Sequence, residues 1–342
     1  MFAGSMTPPT WLRALVLTGL LAADAAGASG AAKKKVRIAV GSKPGNIVYL
    51  QIDLARALGY FEQEGLDATF RYFDAGTAAA QALASREYDL SANSIDHAMK
   101  LRSSGGELQM VASFTDLPCV TLVVRKDLRP QIRALSDLKG RRIGVTALGA
   151  GTHVLAASIL HHAGYSLRDV EIIPVGSGDS FIAAMAQKRI DVGMATDPTT
   201  TRLLLMSEGS ILLDMTDPDE TGIVFNGPYQ FTGLLTRPDV IRERPEIVQA
   251  VVNASVKADQ YIRSHSAAEI AAKLPPAIVG DRYIYVKSLE HSRPSFSKDG
   301  MVIPAAVENN IQSQIVFGLS LPAAGRNPSL YYNNRFVRAA GH

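Results

Sequence analysis

The sequence predicts an α/β protein of two similar lobes, each a mainly parallel sheet flanked by helices. Three observations carry that reading. A strand–helix–strand–helix–strand pattern occurs twice, and Arg37 and Gly59 of the first copy are answered by Arg142 and Gly164 of the second, 105 residues further on. Glycine-containing loops follow the strands in both copies, where parallel strands hand over to right-handed crossover helices. The composition is that of an ordinary globule, 47% hydrophobic and 20% charged over 342 residues, which excludes collagen-like, low-complexity and polytopic membrane chains.

Each element follows from its local pattern. Arg37-Ile38-Ala39-Val40-Gly41 and Arg142-Ile143-Gly144-Val145-Thr146 read as short buried strands running into loops. The helices after them close at Gly59-Tyr60 and Gly164-Tyr165. Next come strands at 68–73 and 170–175, then the loops Asp74-Ala75-Gly76-Thr77 and Gly176-Ser177-Gly178-Asp179. Ala-rich helices follow at 77–85 and 180–188. Charged turns lead into the short strands Tyr88-Asp89-Leu90 and Ile190-Asp191-Val192. Beyond these stand Ser91-Ala92-Asn93-Ser94 in one copy and Gly193-Met194-Ala195-Thr196-Asp197-Pro198 in the other. The period is too long, and the copies too few, for a solenoid.

Two β-rich segments, 121–125 and 231–237, flank the second copy. Lying side by side, they would carry the chain out to lobe two and back. The expected fold is therefore two Rossmann-like lobes joined by a two-strand hinge. Residues 36–123 plus 235–342 form lobe one and residues 124–234 form lobe two. The helical remainder from Pro245 onward rejoins lobe one, unless it forms a third domain after residue 237.

The N-terminus places the protein. Arg13 precedes an apolar run at 14–23, which at 1.5 Å per residue covers roughly 15 Å, about half a bilayer core. Ala26-Gly27-Ala28 fits a small-residue cleavage site, with Ala23-Asp24-Ala25 as the alternative. This is the layout of a secretory signal peptide over residues 1–28, and it predicts a soluble exported protein of the periplasm. The competing reading is a buried N-terminal helix. No cysteine follows the apolar run, which argues against a lipid anchor. Thirty-five basic against 32 acidic residues give a formal charge of +3, too mild for a nucleic-acid footprint. The single cysteine, Cys119, excludes an intrachain disulfide framework and reads as a small buried apolar residue.

Ligands of open parallel sheets bind at the carboxyl ends of strands, beside helix N-termini whose unpaired N–H groups suit an anion. The loops to examine are 42–46, 76–77, 91–94, 148–152 and 177–180. From them come Ser42, Lys43, Asn46, Gly76, Thr77, Asn93, Ser94, Gly149, Gly151, Thr152 and Ser180 as candidate ligand-binding residues. Gly149 and Gly151 let the backbone approach an oxyanion, and Thr152 can donate a hydroxyl or cap its helix. Lys43 is placed either to neutralise an anion or to be solvated on a loop. Tyr229 and Phe231 stand beside the return crossing, as cleft wall or as core. His153, His161 and His162 lack the spacing and acidic partner of a metal site. Gly176-Ser177-Gly178-Asp179-Ser180 is not a nucleophile elbow. No catalytic group and no cofactor is expected.

The chain resembles the type II periplasmic solute-binding proteins of ABC importers. That group includes nitrate-, taurine- and sulfonate-binding proteins and relatives of thiamine-precursor binders. The resemblance rests on residues 58–66 (Leu58-Gly59-Tyr60-Phe61 onward), 82–90 and 135–145. It continues through Ile190-Asp191-Val192-Gly193, Asp197-Pro198 and Asn334-Arg335-Phe336. It implies a monomer that holds a small anion of sulfonate, carboxylate or nitrate type between its lobes and hands it to an inner-membrane ABC permease. Asp197-Pro198 fills the place of an acidic residue followed by proline. Its carboxylate would accept from a ligand N–H, or it simply caps a helix. A neutral pyrimidine or urea-like ligand stays open. Two other classes are an enzyme on this fold, whose pyrimidine-forming members carry a cysteine-rich motif absent here, and a sensor presenting ligand to a membrane kinase.

Overall fold

A computed structural model describes residues 1, 2, 4 and 32–341 of the chain. The export segment expected at 1–28 lies almost wholly outside the described residues. The compact unit begins at Lys33. Among the described residues no helix is long and apolar enough to cross a membrane.

Two five-stranded sheets organise this unit. The first holds β1 (Lys34–Val40), β2 (Leu66–Tyr72), β3 (Leu90–Ser94), β4 (Gln109–Ser113) and β10 (Thr232–Thr236), in the order β2-β1-β3-β10-β4. The second holds β5 (Thr121–Arg125), β6 (Arg142–Val145), β7 (Glu171–Pro174), β8 (Val192–Ala195) and β9 (Gly209–Asp214), in the order β7-β6-β8-β5-β9. β1 pairs parallel with β2 and β3, and β6 pairs parallel with β7 and β8. The register repeats as well, with Ile38 opposite Leu90 and Ile143 opposite Val192. Central strands β3, β5, β8 and β10 are buried along their whole length, so their apolar runs do not alternate.

A charged device recurs with the repeat. Asp89 accepts the Arg37 backbone N–H at 2.8 Å, and Asp191 accepts that of Arg142 at 3.0 Å. Each carboxylate before the third strand of its copy thus ties down the backbone of the first.

The crossing differs from expectation. Segments 121–125 and 231–237 do not pair with each other. β5 lies antiparallel between β8 and β9 in the second sheet, and β10 lies antiparallel between β3 and β4 in the first. The outgoing and returning chains touch just before these strands, where Tyr229 N–H donates to Asp116 O at 3.1 Å and Thr115 N–H to Thr232 O at 3.4 Å. The boundaries drawn at 123/124 and 234/235 fall inside β5 and β10. Each strand sits whole in one sheet, because splitting it would strand half its ladder hydrogen bonds.

The first copy supplies α1 (Leu50–Ala57), α2 (Tyr60–Gln63), α3 (Gly76–Ala84) and α4 (Asp96–Ser103). The second supplies α5 (Gly151–His162), α6 (Asp179–Ala186), α7 (Thr199–Leu205) and α8 (Pro218–Phe225). The C-terminal remainder forms α9 (Pro238–Glu243), α10 (Pro245–Ser264), α11 (Ala267–Lys273), α12 (Pro276–Val279), α13 (Arg282–Ser292), α14 (Pro304–Val316) and α15 (Arg335–Ala339). It is not a separate domain. α10 packs on α1 and α15, and Val251, Leu289 and Phe336 share one core cluster with Ile38 and Leu54. Val307 and Ile311 of α14 join Met110 and Leu235 in a second cluster. Burying those apolar stripes at about 25 cal/mol per Å² is what brings the tail back to the first sheet.

Candidate functional site

The carboxyl ends of the parallel strands from both sheets converge on one small cavity. Its walls are Gly41, Ser42 and Asn46 after β1, Asp74 and Gly76 after β2, and Asn93 and Ser94 at the end of β3. Facing them are Thr146, Gly151 and Thr152 after β6, Ser177 after β7 and Thr196 after β8. Tyr49, His97 and Phe231 also line it, with Val48, Ala75 and Ala150. The cavity measures about 50 Å³, enough for a small polar group rather than a bulky ring system.

Two glycines make the approach possible. A Cβ on Gly76 would lie 2.5 Å from Asn93 Oδ1, and one on Gly151 would lie 2.6 Å from the Phe231 ring. Gly76 and Gly151 open α3 and α5, so each presents first-turn N–H groups that have no acceptor within the helix. Among the described residues no lysine or arginine lines the cavity. The favourable potential for an anion there comes from the N-terminal ends of α3 and α5.

The polar side chains are held in place by one another. Asn46 Nδ2 donates to Ser42 Oγ at 2.8 Å and, across to the second sheet, to Thr196 Oγ1 at 3.2 Å. Asn93, fully buried, donates to the Gly76 carbonyl at 2.9 Å and accepts from Ser94 N–H at 2.9 Å. Thr152 Oγ1 accepts from Thr146 N–H at 3.1 Å and pairs with Thr146 Oγ1 at 2.8 Å. Ser94 Oγ donates to buried Asp96, whose carboxylate also lies 3.7 Å from Lys100 Nζ. Burial favours the neutral acid at Asp96, but His97, Lys100 and the Ser94 hydroxyl prevail and hold its pKa below the usual value. Burial lowers the pKa of His97, against the pull of Asp96, and raises that of Tyr49.

Of the residues singled out from sequence, Ser42, Asn46, Gly76, Asn93, Ser94, Gly151 and Thr152 come together around this cavity. The others do not. Lys43 lies in an outer chamber, with its ammonium 3.7 Å from Asp74. Thr77 faces a groove between α3 and α4. The Gly149 carbonyl accepts from Lys100, which fastens the 149 loop to α4. Ser180 Oγ donates to the Ser177 carbonyl at 3.1 Å. Tyr229 is core, its ring centroid 4.3 Å from that of Phe225.

Of the two roles expected of Asp197, the structure shows the one at a helix start. Its Oδ1 accepts from Thr201 N–H and Oγ1, and its Oδ2 accepts from Ser292 Oγ and contacts His291 Nδ1. Those bonds occupy the carboxylate within the protein and leave it unsuited to receive a ligand N–H. His97, Tyr49, Thr146 and Thr196 were not anticipated as wall residues. Thr146 and Thr196 carried a signal, as the first residues past β6 and β8.

The sequence-family profile described as "NMT1/THI5 like" matches residues 46–268, well over half of the chain. The chain belongs to the NMT1/THI5-like family. A solved protein from Bordetella bronchiseptica RB50 is similar to it at 30% identity and a TM-score of 0.84, over 90% of this chain and 97% of that one. The alkanesulfonate-binding protein SsuA from Xanthomonas axonopodis pv. citri, bound to MOPS, superposes with a TM-score of 0.66 at 22% identity, over 91% and 98%. The periplasmic nitrate-binding protein NrtA from Synechocystis PCC 6803 gives 0.67 at 13% identity, over 90% and 88%. The last two likenesses are of fold, and that fold is the periplasmic-binding-protein fold.

Proposed function

We propose that this NMT1/THI5-like protein is the substrate-binding component of an ABC importer. It is exported to the periplasm by the signal at 1–28 and acts as a monomer. It captures a small oxyanion between a lobe built on the first sheet and a lobe built on the second, and delivers it to a membrane permease. The observation that carries this reading is the cavity itself. Among the described residues it is lined by hydroxyls, amides, the N-terminal ends of α3 and α5, the His97 imidazole and the Asp74 carboxylate, and by no lysine or arginine.

Such a cavity suits a monoanion. Oriented N–H and O–H donors stabilise a sulfonate, carboxylate or nitrate, while a dianion beside buried Asp96 would go under-neutralised. The relatives that bind an alkanesulfonate and nitrate support the same chemistry. Because the ligand touches walls from both sheets, it binds the closed arrangement better and shifts the population toward it. The closed form is what a permease would recognise.

The test is calorimetry on protein unfolded, washed free of small molecules and refolded. The probes are ethanesulfonate, acetate, nitrate and a pyrimidine, and bound material is recovered by mass spectrometry. Micromolar binding of an anion recovered intact is expected. Binding of the pyrimidine alone would overturn the anion reading, and chemical conversion of the probe would make the protein an enzyme.

A further inference from the structure

An anion shut into this cavity needs a counter-charge. The helix ends supply potential but no net charge, and a buried ion without a partner is costly. The two lysines nearby are already engaged. Lys100 lies 3.7 Å from the buried Asp96 carboxylate and donates to the Gly149 carbonyl. Lys43 lies 3.7 Å from Asp74 at the exposed rim. The titratable side chains on the wall itself are Tyr49, Asp74 and His97, and of these only the imidazole can become a cation.

Its surroundings suit that change. The ring is 5% exposed, and its Nε2 borders the cavity beside Gly76, whose Cβ would lie 2.8 Å away. Nδ1 lies 3.8 Å from Asp96 Oδ2, a buried oxygen that accepts no hydrogen bond among the described residues. The same ring also lines the groove of about 290 Å³ between α3 and α4, where Gln81 and Ser104 are exposed. A proton can thus reach the imidazole while the cleft is shut. Burial and Lys100 lower the pKa of His97 and Asp96 pulls it up, so one added negative charge can tip the balance. Burial raises the pKa of Tyr49, away from neutrality. His153 on α5 feels the same Lys100, and burial lowers its pKa too.

We propose that the anion is bound together with a proton. His97 takes one from solvent as the cleft fills, and its imidazolium Nε2–H becomes the charged donor to the ligand. This rests on the anion reading above and adds the regulation of that site by pH. Linkage is reciprocal, so the proton tightens the anion by the factor by which the anion tightens the proton. Affinity is therefore greatest in mild acid and is lost as pH rises.

The experiment counts protons. Ethanesulfonate and nitrate stay ionised near neutrality, so neither brings a proton of its own. Each is added to refolded, weakly buffered protein in a pH-stat at pH 7.5, and affinity is measured by calorimetry at pH 6.5 and 8.5. Uptake of between half and one proton per bound anion is expected, with affinity falling ten-fold or more across that range. Binding without uptake and with equal affinities overturns the proposal and leaves the anion receptor standing. Failure of both anions to bind at any pH removes both readings. His97→Gln should bind without uptake and with no pH dependence, whereas His153→Gln should keep both. Linkage that survives in folded His97→Gln would place the proton elsewhere and overturn the assignment. Should that variant not fold, NMR of the wild-type His97 ring nitrogens decides. They must move from neutral to imidazolium shifts on saturation with nitrate, and unmoved shifts overturn the proposal.

Discussion

His291 Nδ1 lies 2.5 Å from Asp197 Oδ2, and this contact fastens α13 to the exit of β8 beside the cavity. The other ring nitrogen lies 2.8 Å from Asp214 Oδ2 at the end of β9. One imidazole thus bridges two carboxylates of the second sheet from a helix packed on the first. Next to it, Ile47 N–H donates to the Asp197 carbonyl at 3.2 Å, so the same strand exit is held from the loop after β1.

The His291 bridge carries a pH signature. Burial alone would lower the pKa of the imidazole, but its hydrogen bonds to Asp197 and Asp214 raise it to about 10. A raised pKa means the contribution is fully present below the ordinary value near 6.5 and is lost as pH climbs through about 10. His291→Gln is expected to cost about 2–3 kcal/mol at pH 7, less than a fully buried pair because the ring is partly exposed. The gap between variant and wild type should close above pH 10. Urea denaturation at pH 7 and pH 10.5 measures it, and a gap unchanged by pH would mean that packing rather than charge holds α13.

Thr152→Ala removes the hydroxyl that joins Thr146 to the start of α5. Sulfonate affinity should fall about ten-fold while stability drops by about 1 kcal/mol, the usual worth of a hydrogen bond. Calorimetry and thermal melting separate the two, and unchanged affinity would take Thr152 out of the site.

Gly76→Ala tests the close approach. The added methyl would collide with Asn93 Oδ1 and His97 Nε2, both of them walls of the cavity. Probe binding should weaken at least a hundred-fold, while overpacking costs about 1–3 kcal/mol of stability. A folded Gly76→Ala protein with normal affinity would show that the ligand does not use this wall.

Asp191→Asn addresses the acid limb. The carboxylate lies 2.6 Å from Arg142 and 3.0 Å from Arg125. Burial pushes its pKa up, but the Arg142 hydrogen bonds and both guanidinium charges overcome that and lower it. A lowered pKa gives stability that is fully present above the ordinary carboxylate value and is lost as pH falls below it and through the lowered folded-state pKa. The variant should lose about 2–3 kcal/mol at neutral pH and converge on the wild type in acid. Denaturation at pH 7 and pH 3 is the check, and parallel curves would refute it.

Much of the fold could be read from the chain because it repeats in local pattern. Ile38 and Ile143 begin equivalent pairings, and Asp89 and Asp191 cap equivalent backbones. The loops at strand ends were legible for the same reason, which is why Ser42, Asn93 and Thr152 were found. His97 and Tyr49 were not, because they reach the cavity only once helices pack. For Asp197 the partner His291 was not legible, because it lies on a helix formed far along the chain. β5 and β10 looked like mutual neighbours because nothing in either segment states which open strand position it will fill.

The placement of β5 in the second sheet and β10 in the first bears on how the chain assembles. Every strand of the second sheet lies between Thr121 and Asp214, so that half can assemble as soon as this continuous stretch is available. The first sheet cannot. β4 joins the sheet through β10 and also bonds to Gly300, Tyr331 and Asn333, so residues 109–113 keep unfilled hydrogen bonds until residues 232–236 and then the C-terminal segment arrive. A chain emerging from its N-terminus would therefore finish its later half first. β10 also carries Thr232, whose hydroxyl donates to the Val48 carbonyl behind the cavity at 3.1 Å.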